Sequence, residues 1–311
     1  MGVHSSRHRG RRYRSRRHLR RSSLGLVSVV GTLLALLVFF TLFGIFLTQY
    51  LPVWMTDNEA QFGSQTQASM ANLKSNIDYQ MAAGGPPVFA TPFTMSSDGV
   101  PLLAAPTGGI LNFIPTQPGV FASVAMSVGP GGGKPFAQNF SLGELTMQLP
   151  NRYYIPQTFT LEDDAVIEKQ TDTSQIVAYP LSLVVNTSGS YSAVSMSMVQ
   201  LYGNATQTLS PGTQEVYAHY LSVQTFTSTG LNGAPFTTTF QIGTHFPCAW
   251  ATYLKALMGK STLPSGQWTL TPNTCLASGG NALMVKLVFT NINSFTLVLG
   301  QFSIVVGVGL G

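Results

Sequence analysis

The chain has 311 residues, enough for one large or two ordinary domains, and only 9% of them are Asp, Glu, Lys or Arg. Its net charge of +5 is uneven, because nine of the sixteen Lys and Arg residues lie between Arg7 and Arg21, with no acidic residue among them. The remainder holds seven basic and eleven acidic residues. This distribution argues against a globally basic nucleic-acid-binding protein, so nucleic acid is not expected as a partner.

An apolar stretch follows the basic tail. Residues 24–47 read LGLVSVVGTLLALLVFFTLFGIFL and carry no charge. As a helix they would measure about 36 Å, against about 30 Å for the hydrocarbon core of a bilayer. We predict a cytoplasmic tail or signal n-region over residues 1–23 and a transmembrane helix over residues 24–50. Arginines before a span stay on the cytoplasmic side, so the rest of the chain is predicted to be extracellular and membrane lipid is the expected partner.

A second helix is predicted over residues 51–84, proximal to the membrane. It is amphipathic from Asp57 onward and ends at Gly84-Gly85-Pro86-Pro87, a strong stop signal. Its apolar stripe at helical spacing consists of Met70, Leu73, Ile77 and Met81. The stripe has two interpretations that the sequence does not separate: packing against the chain's own domain, or an assembly face between copies.

Residues 85–311 are predicted to be β-rich. Short apolar or alternating runs are separated by Gly, Pro, Asn and Ser, which is typical of a β-sandwich or a jelly roll, either one large sandwich or two packed together. Within this region residues 249–260 are predicted to form a helix. The C-terminal run over residues 295–310 is too short for a second membrane span and is predicted to form one or two buried strands.

Two further features are typical of an exported domain. The only two cysteines, Cys248 and Cys275, fit one disulfide in an oxidising compartment, with two unrelated buried thiols as the alternative. Three Asn-x-Ser/Thr sequons are candidate glycosylation sites, at Asn139, Asn186 and Asn204.

Little in the sequence indicates catalysis. Beyond the tail the only histidines are His219 and His245, and no Gly-x-Ser-x-Gly motif is present, so we predict no catalytic residue, metal site or cofactor. Glu162-Asp163-Asp164 is the best candidate for a cation site, but a solvated β-turn is the preferred interpretation, since Ca²⁺ needs about six to eight oxygen ligands. The low charge suggests an acidic exterior, with a fold retained from about pH 7 to pH 2.

The junction RRSSLGLVSVVGTLL, residues 20–34, resembles the class III signal of archaeal pilin-like and archaellin-like proteins. That resemblance implies cleavage between Gly25 and Leu26, with an uncleaved anchor as the alternative. The segments TQYLPVWMTDNEAQF (residues 48–62) and NRYYIPQTFTLEDDAVIEKQ (residues 151–170) resemble exported, membrane-anchored archaeal proteins with a β-rich ectodomain. The resemblance implies architecture and export, and it carries no catalytic residue.

These predictions together indicate a non-enzymatic, membrane-anchored cell-surface protein with a structural or interaction role. It would assemble through its N-terminal helix as pilins do, or bind other cell-surface proteins. The alternative is an anchored extracellular protein that binds a ligand or a glycan.

Overall fold

The structure is a computed structural model that describes residues 18–85, 87–116, 119–127, 136–171, 174–209, 212–230, 234–264, 266–272 and 283–307. The chain divides into two compact units, and the boundary falls between Trp54 and Met55. We describe each unit separately.

The first unit is helical. Helix α1 (His18–Ile45) is followed by a π-helical turn (Phe46–Tyr50) and by the start of helix α2 (Leu51–Ala83). Pro52 explains the π-helical turn, because it has no N–H to donate to the carbonyl of Thr48. The preceding turn widens, and the Leu51 N–H bonds the Phe46 carbonyl, five residues earlier.

One helical stretch of the described residues, Val27–Ala83, contains a segment long and apolar enough to cross a membrane. That segment has a mean hydropathy of 2.6, and none of it is buried in the structure. The predicted N-terminal apolar helix is therefore confirmed. That this helix crosses a membrane, and in which direction, stays a prediction.

Helix α2 ends where the stop signal predicts. Gly84 has a φ of +70°, a left-handed conformation that glycine adopts without steric cost. The Gly85 N–H then donates to the Gln80 carbonyl at 3.1 Å, the hydrogen bond that closes a Schellman motif.

The second unit is mainly β, as predicted, with three sheets whose strands we number in chain order. The first sheet contains, in spatial order, β1 (Ala90–Thr94), β12 (Thr213–Thr229), β16 (Ser294–Val306), β10 (Tyr191–Gly203) and β9 (Leu183–Ser188). The second contains β11 (Thr206–Thr208), β2 (Ile110–Ile114), β5 (Glu144–Leu149), β6 (Gln157–Glu162), β7 (Ala165–Thr171) and β8 (Ser174–Tyr179). The third contains β14 (Trp268–Thr271), β15 (Leu283–Ile292), β13 (Phe236–Thr244), β3 (Phe121–Ser127) and β4 (Phe136–Ser141).

The predicted helix near residue 249 is confirmed as α3 (Pro247–Lys260), and the C-terminal run forms β16. Strand pairing is antiparallel except between β10 and β16, which run parallel. The coarser prediction of a β-rich domain is confirmed. The finer one of a sandwich or a jelly roll is not, since three sheets surround two separate hydrophobic clusters.

The first sheet separates these two clusters. On one face of β10, Val194, Met196 and Met198 pack against the third sheet and α3. The opposite face places Val199 and Leu201 against α2 and the second sheet. Because side chains alternate along a strand, the change of cluster requires two consecutive buried residues, Met198 and Val199. Strand β16 changes face in the same way, which makes these two strands a shared wall.

The apolar stripe of α2 packs inside the chain. Met70, Leu73 and Ile77 are fully buried in the cluster between α2 and the second sheet, and Met81 packs against it. Of the two predicted interpretations, this arrangement favours intramolecular packing. A role for the stripe as an assembly face would require this core to open, so polar substitutions there would unfold the domain rather than only disperse an assembly.

Candidate functional site at a buried acidic turn

Glu162, Asp163 and Asp164, here called the acidic turn, join β6 to β7. Asp163 and Asp164 have φ angles of +48° and +61°. Two successive left-handed residues make a type I′ turn, whose twist matches that of the flanking strands, and Asp tolerates this region better than most residues. The predicted turn is confirmed, but its predicted solvation is wrong. The three residues are 0%, 1% and 1% exposed, because the hairpin tip lies inside the domain.

Asp164 forms an ion pair with helix α2. The Lys74 ammonium donates to its Oδ1 at 3.2 Å and to Asp78 at 2.7 Å, and the Ser197 hydroxyl donates to Oδ2 at 2.9 Å. Burial raises the pKa of Asp164 to about 7, although the charge of Lys74 opposes that rise. Burial alone would lower the pKa of Lys74, but Asp164 and Asp78 outweigh it and leave that pKa above its usual value.

Glu162 belongs to a pair of buried carboxyls. It lies opposite Glu144 in the β5–β6 pairing, and it accepts a hydrogen bond from the indole N–H of Trp250 at 3.2 Å. Burial first, and then the charge of Glu144, raise the pKa of Glu162 well above its usual value. Burial also raises the pKa of Glu144, while the charge of His245 opposes the rise. Each carboxyl of the pair therefore loses its proton less readily than a solvated glutamate does.

Asp163 is the least compensated of these groups. Burial first, and then the charge of Asp164, raise its pKa well above the usual value. The backbone N–H of Val199 offsets little of this rise, because neither carboxyl oxygen of Asp163 makes a hydrogen bond of normal geometry with the described residues. A neutral carboxylic acid costs less to bury than a carboxylate, so burial favours the protonated form of Asp163.

Helix α2 also carries a buried carboxylate, Glu59, which binds the chain shortly before β6. Its oxygens accept the backbone N–H groups of Arg152, Tyr153 and Tyr154 at 2.7 to 3.1 Å and the hydroxyl of Thr107 at 2.6 Å. Burial alone would raise the pKa of Glu59. These hydrogen bonds outweigh burial, and the pKa lies below its usual value.

Sequence reasoning missed Glu59 and Lys74, although a signal was present. Glu59 stands three residues before the buried Phe62, and Lys74 stands four after Met70. Both charges therefore lie on the apolar stripe of the helix, where a charge requires a partner.

The other predicted site residues are dispersed. The sequon residues Asn139, Asn186 and Asn204 are exposed, and His219 stacks on Tyr217 with ring centroids 6.3 Å apart. Cys248 is buried at the start of α3, whereas Cys275 lies outside the described residues, so the disulfide stays a prediction. Gly25 and Leu26 lie within α1, and the described side chains begin after them.

The acidic turn does not form a metal centre. Among the residues that the structure describes, no group of three or more His, Cys, Asp or Glu side chains is placed to hold a metal ion. Glu144 and Glu162 are buried, so a substrate cannot reach them in this structure. What the arrangement can do is hold α2 against the sheets and bind protons.

Comparison with known proteins adds no assignment: no protein-family model, no curated protein and no solved structure matches the chain.

We expect Glu59→Gln to destabilise the full-length chain by about 2 to 4 kcal/mol. The amide replaces one acceptor oxygen, which leaves buried backbone N–H groups unpaired, and the remaining oxygen accepts weaker hydrogen bonds. Denaturant unfolding of the detergent-solubilised protein measures this change. Asp57→Asn is the matched control on the same helix, where the exposed side chain should change stability by less than about 0.5 kcal/mol. Equal effects of both variants would contradict the role of Glu59.

We expect the free energy of unfolding to rise as the pH falls from about 8 to about 5. The carboxyls of Glu144, Glu162, Asp163 and Asp164 have raised pKa values, so the folded state binds more protons than the unfolded state in this window. One pKa unit corresponds to roughly 1.4 kcal/mol. Glu59 acts in the opposite direction, because its lowered pKa gives stability that is lost as the pH falls below its usual value of 4.5.

Asp163→Asn tests the cause of this pH dependence. Asn tolerates a positive φ and cannot ionise, so the variant should be more stable at pH 8 and less dependent on pH. Asp98→Asn, at an exposed position, is the control. Unfolding curves between pH 4 and pH 8 that are the same for Asp163→Asn and the wild type would show that this turn does not control the stability.

Proposed function

We propose that the protein is a non-enzymatic cell-surface protein held in the membrane by α1, with the β-rich unit outside the cell in a structural or interaction role. The observation that carries this proposal is the surface of α1. Every large apolar side chain from Val27 to Ile45 is exposed, with 39% to 67% of its area accessible. A helix that is apolar on all sides requires lipid or other helices around it.

The orientation rests on the arginines that precede the apolar part of α1. Nine basic residues lie between Arg7 and Arg21, and an excess of positive charge beside a span marks the cytoplasmic side. The same tail is attracted to anionic headgroups by about 1 kcal/mol for each basic residue near the surface.

Self-assembly, if the protein is pilin-like, involves α1. Met70, Leu73 and Ile77 are buried in the chain's own core, whereas the large apolar side chains of α1 from Val27 to Ile45 are exposed. Mass spectrometry of the native N-terminus separates the two forms of the proposal. A chain that starts at Leu26 supports a pilin-like subunit, and a chain that retains the arginine tail supports a permanent anchor.

We expect Leu36→Arg to weaken membrane insertion, at a cost of about 2.5 to 3.5 kcal/mol for an arginine at the centre of a span. The measurement is the fraction of full-length chain that stays in the membrane pellet after alkaline carbonate extraction. Leu36→Ala is the matched control and should remain in the pellet. A wild-type chain that alkaline carbonate releases would contradict the anchor, and labelling of intact cells with an impermeant amine reagent tests the orientation independently.

A groove supports a second candidate function, the binding of a glycan or another polar ligand. It has a volume of about 390 Å³ and lies between the last turns of α2 and the strands β10 and β16. Its lining includes the carboxylate of Asp78 and the hydroxyls of Ser182, Ser195 and Ser197. Hydroxyls and a carboxylate are groups that hydrogen-bond to sugar hydroxyls.

If this groove binds a glycan, Ser195→Phe will abolish the binding by filling the groove. The measurement is retention of the solubilised full-length chain on an array of oligosaccharides. Ser75→Phe adds the same ring at an exposed position of α2 away from the groove lining, and it should leave binding unchanged. A wild-type chain that no oligosaccharide retains would remove this second function.

A further inference from the structure

Each of the three sheets has one edge beside a helix. At β1, the Ser69 hydroxyl of α2 donates to the Pro92 carbonyl at 2.7 Å, and the Asn76 amide donates to the Thr91 hydroxyl at 3.1 Å. Helix α3 contacts β8 of the second sheet and β14 of the third. A helix of the same chain therefore lies beside each of these three edges.

The opposite edges are formed by β9, β4 and β11. In the part of the chain that the structure describes, each of these strands pairs with one strand and has none on its other side. Their side chains are accessible: Val184 on β9 is 47% exposed, and Ala137, Gln138 and Asn139 on β4 are exposed in succession. An open edge presents unpaired N–H and C=O groups that can pair with a strand of another molecule.

All three sequons of the chain lie at these three open edges. Asn139 is on β4, Asn186 is on β9, and Asn204 lies two residues before the first residue of β11. The asparagines of all three are exposed, as are the hydroxyl residues Ser141 and Ser188. The neighbouring Phe140 and Val185 face the core, so alternation along each strand directs Asn139 and Asn186 away from it.

We propose that Asn139, Asn186 and Asn204 carry N-linked oligosaccharides, and that these prevent the three open sheet edges from pairing with other molecules. The bulk and hydration of an oligosaccharide exclude a second strand from a short edge, since six residues span only about 20 Å. Each sheet is then protected on both sides, by a helix at one edge and a glycan at the other. The inference rests on the extracellular location in the proposed function.

The modification needs an activated sugar donor, which we take to be a lipid-linked phosphate or pyrophosphate oligosaccharide. The amide nitrogen of each asparagine forms a bond to the anomeric carbon of the sugar and loses one proton. The bond from that carbon to the phosphate oxygen breaks, and the phosphate leaves with the electron pair.

Mass spectrometry of peptides from the full-length chain, purified from the membranes of its own host, tests the modification. All three sequon peptides should carry an added oligosaccharide mass. The triple variant Ser141→Ala, Ser188→Ala, Thr206→Ala should lose it at every site. The matched triple variant Ser141→Thr, Ser188→Thr, Thr206→Ser retains the sequons and should keep it.

Light scattering of the solubilised chains tests the protective role. The alanine variant should associate, with at least a doubling of its average mass relative to the wild type at equal concentration. The triple Asn→Gln variant should behave in the same way, which excludes an effect of the lost hydroxyls. Adding Val184→Lys places a charge on the edge strand β9 and should reduce the association.

The outcomes separate this inference from the proposed function. Unmodified sequons on a chain whose domain is labelled on intact cells would overturn the inference and leave the proposed function standing. Unmodified sequons on a domain that the label does not reach would count against both. Glycosylated sequons whose removal leaves the mass unchanged would overturn the protective role.

Discussion

The contact between α2 and residues 151–164 is the constraint on which the rest of the second unit depends. Two residues of opposite charge on the helix make this contact. Glu59 accepts hydrogen bonds from backbone N–H groups near the start of the segment, and Lys74 forms an ion pair with Asp164 at its end. Fifteen residues separate the two charges, about 22 Å along a helix. Two contacts at that distance set both the position and the direction of α2 over the sheet, and the apolar side chains of the helix pack into the cluster beneath it.

These charges are buried, so they do more than add attraction. Removing two charges from water costs several kcal/mol per ion, and an unpaired partner left behind costs more than the pair contributes. The arrangement therefore penalises any register of α2 in which one charge loses its partner. The acidic turn adds a pH dependence to the same region, because burial raises the pKa values of Asp163 and Glu162 well above their usual range. A domain that gains stability as it is acidified fits an acidic exterior, which the low charge of the sequence also suggests.

The exposed surfaces of the two units differ in their chemistry. The apolar side chains of α1 require lipid or other helices, and the apolar stripe of α2 is already occupied by the chain's own core. The β-rich unit presents mostly Ser, Thr, Asn and Gln, with few charges to repel other copies. Open sheet edges on such a surface need a form of protection other than charge. The oligosaccharides proposed at the sequons would supply it on a domain outside the cell.

The sequence alone determined the apolar helix, the end of α2 at Gly84 and the β-rich character of the rest, because each depends on local pattern: continuous hydrophobicity, a helix stop signal, and short alternating runs. It also indicated the turn at Asp163 and Asp164. Only the tertiary structure decided that this turn is buried, since the sheets that cover it come from distant parts of the chain. The Tyr153 N–H that binds Glu59 and the Asp164 carboxylate that binds Lys74 lie 94 and 90 residues away in the sequence, and pairing at that distance leaves no periodicity to detect. The parallel pairing of β10 with β16 joins strands that are far apart in the sequence, so it was decided by the tertiary structure for the same reason.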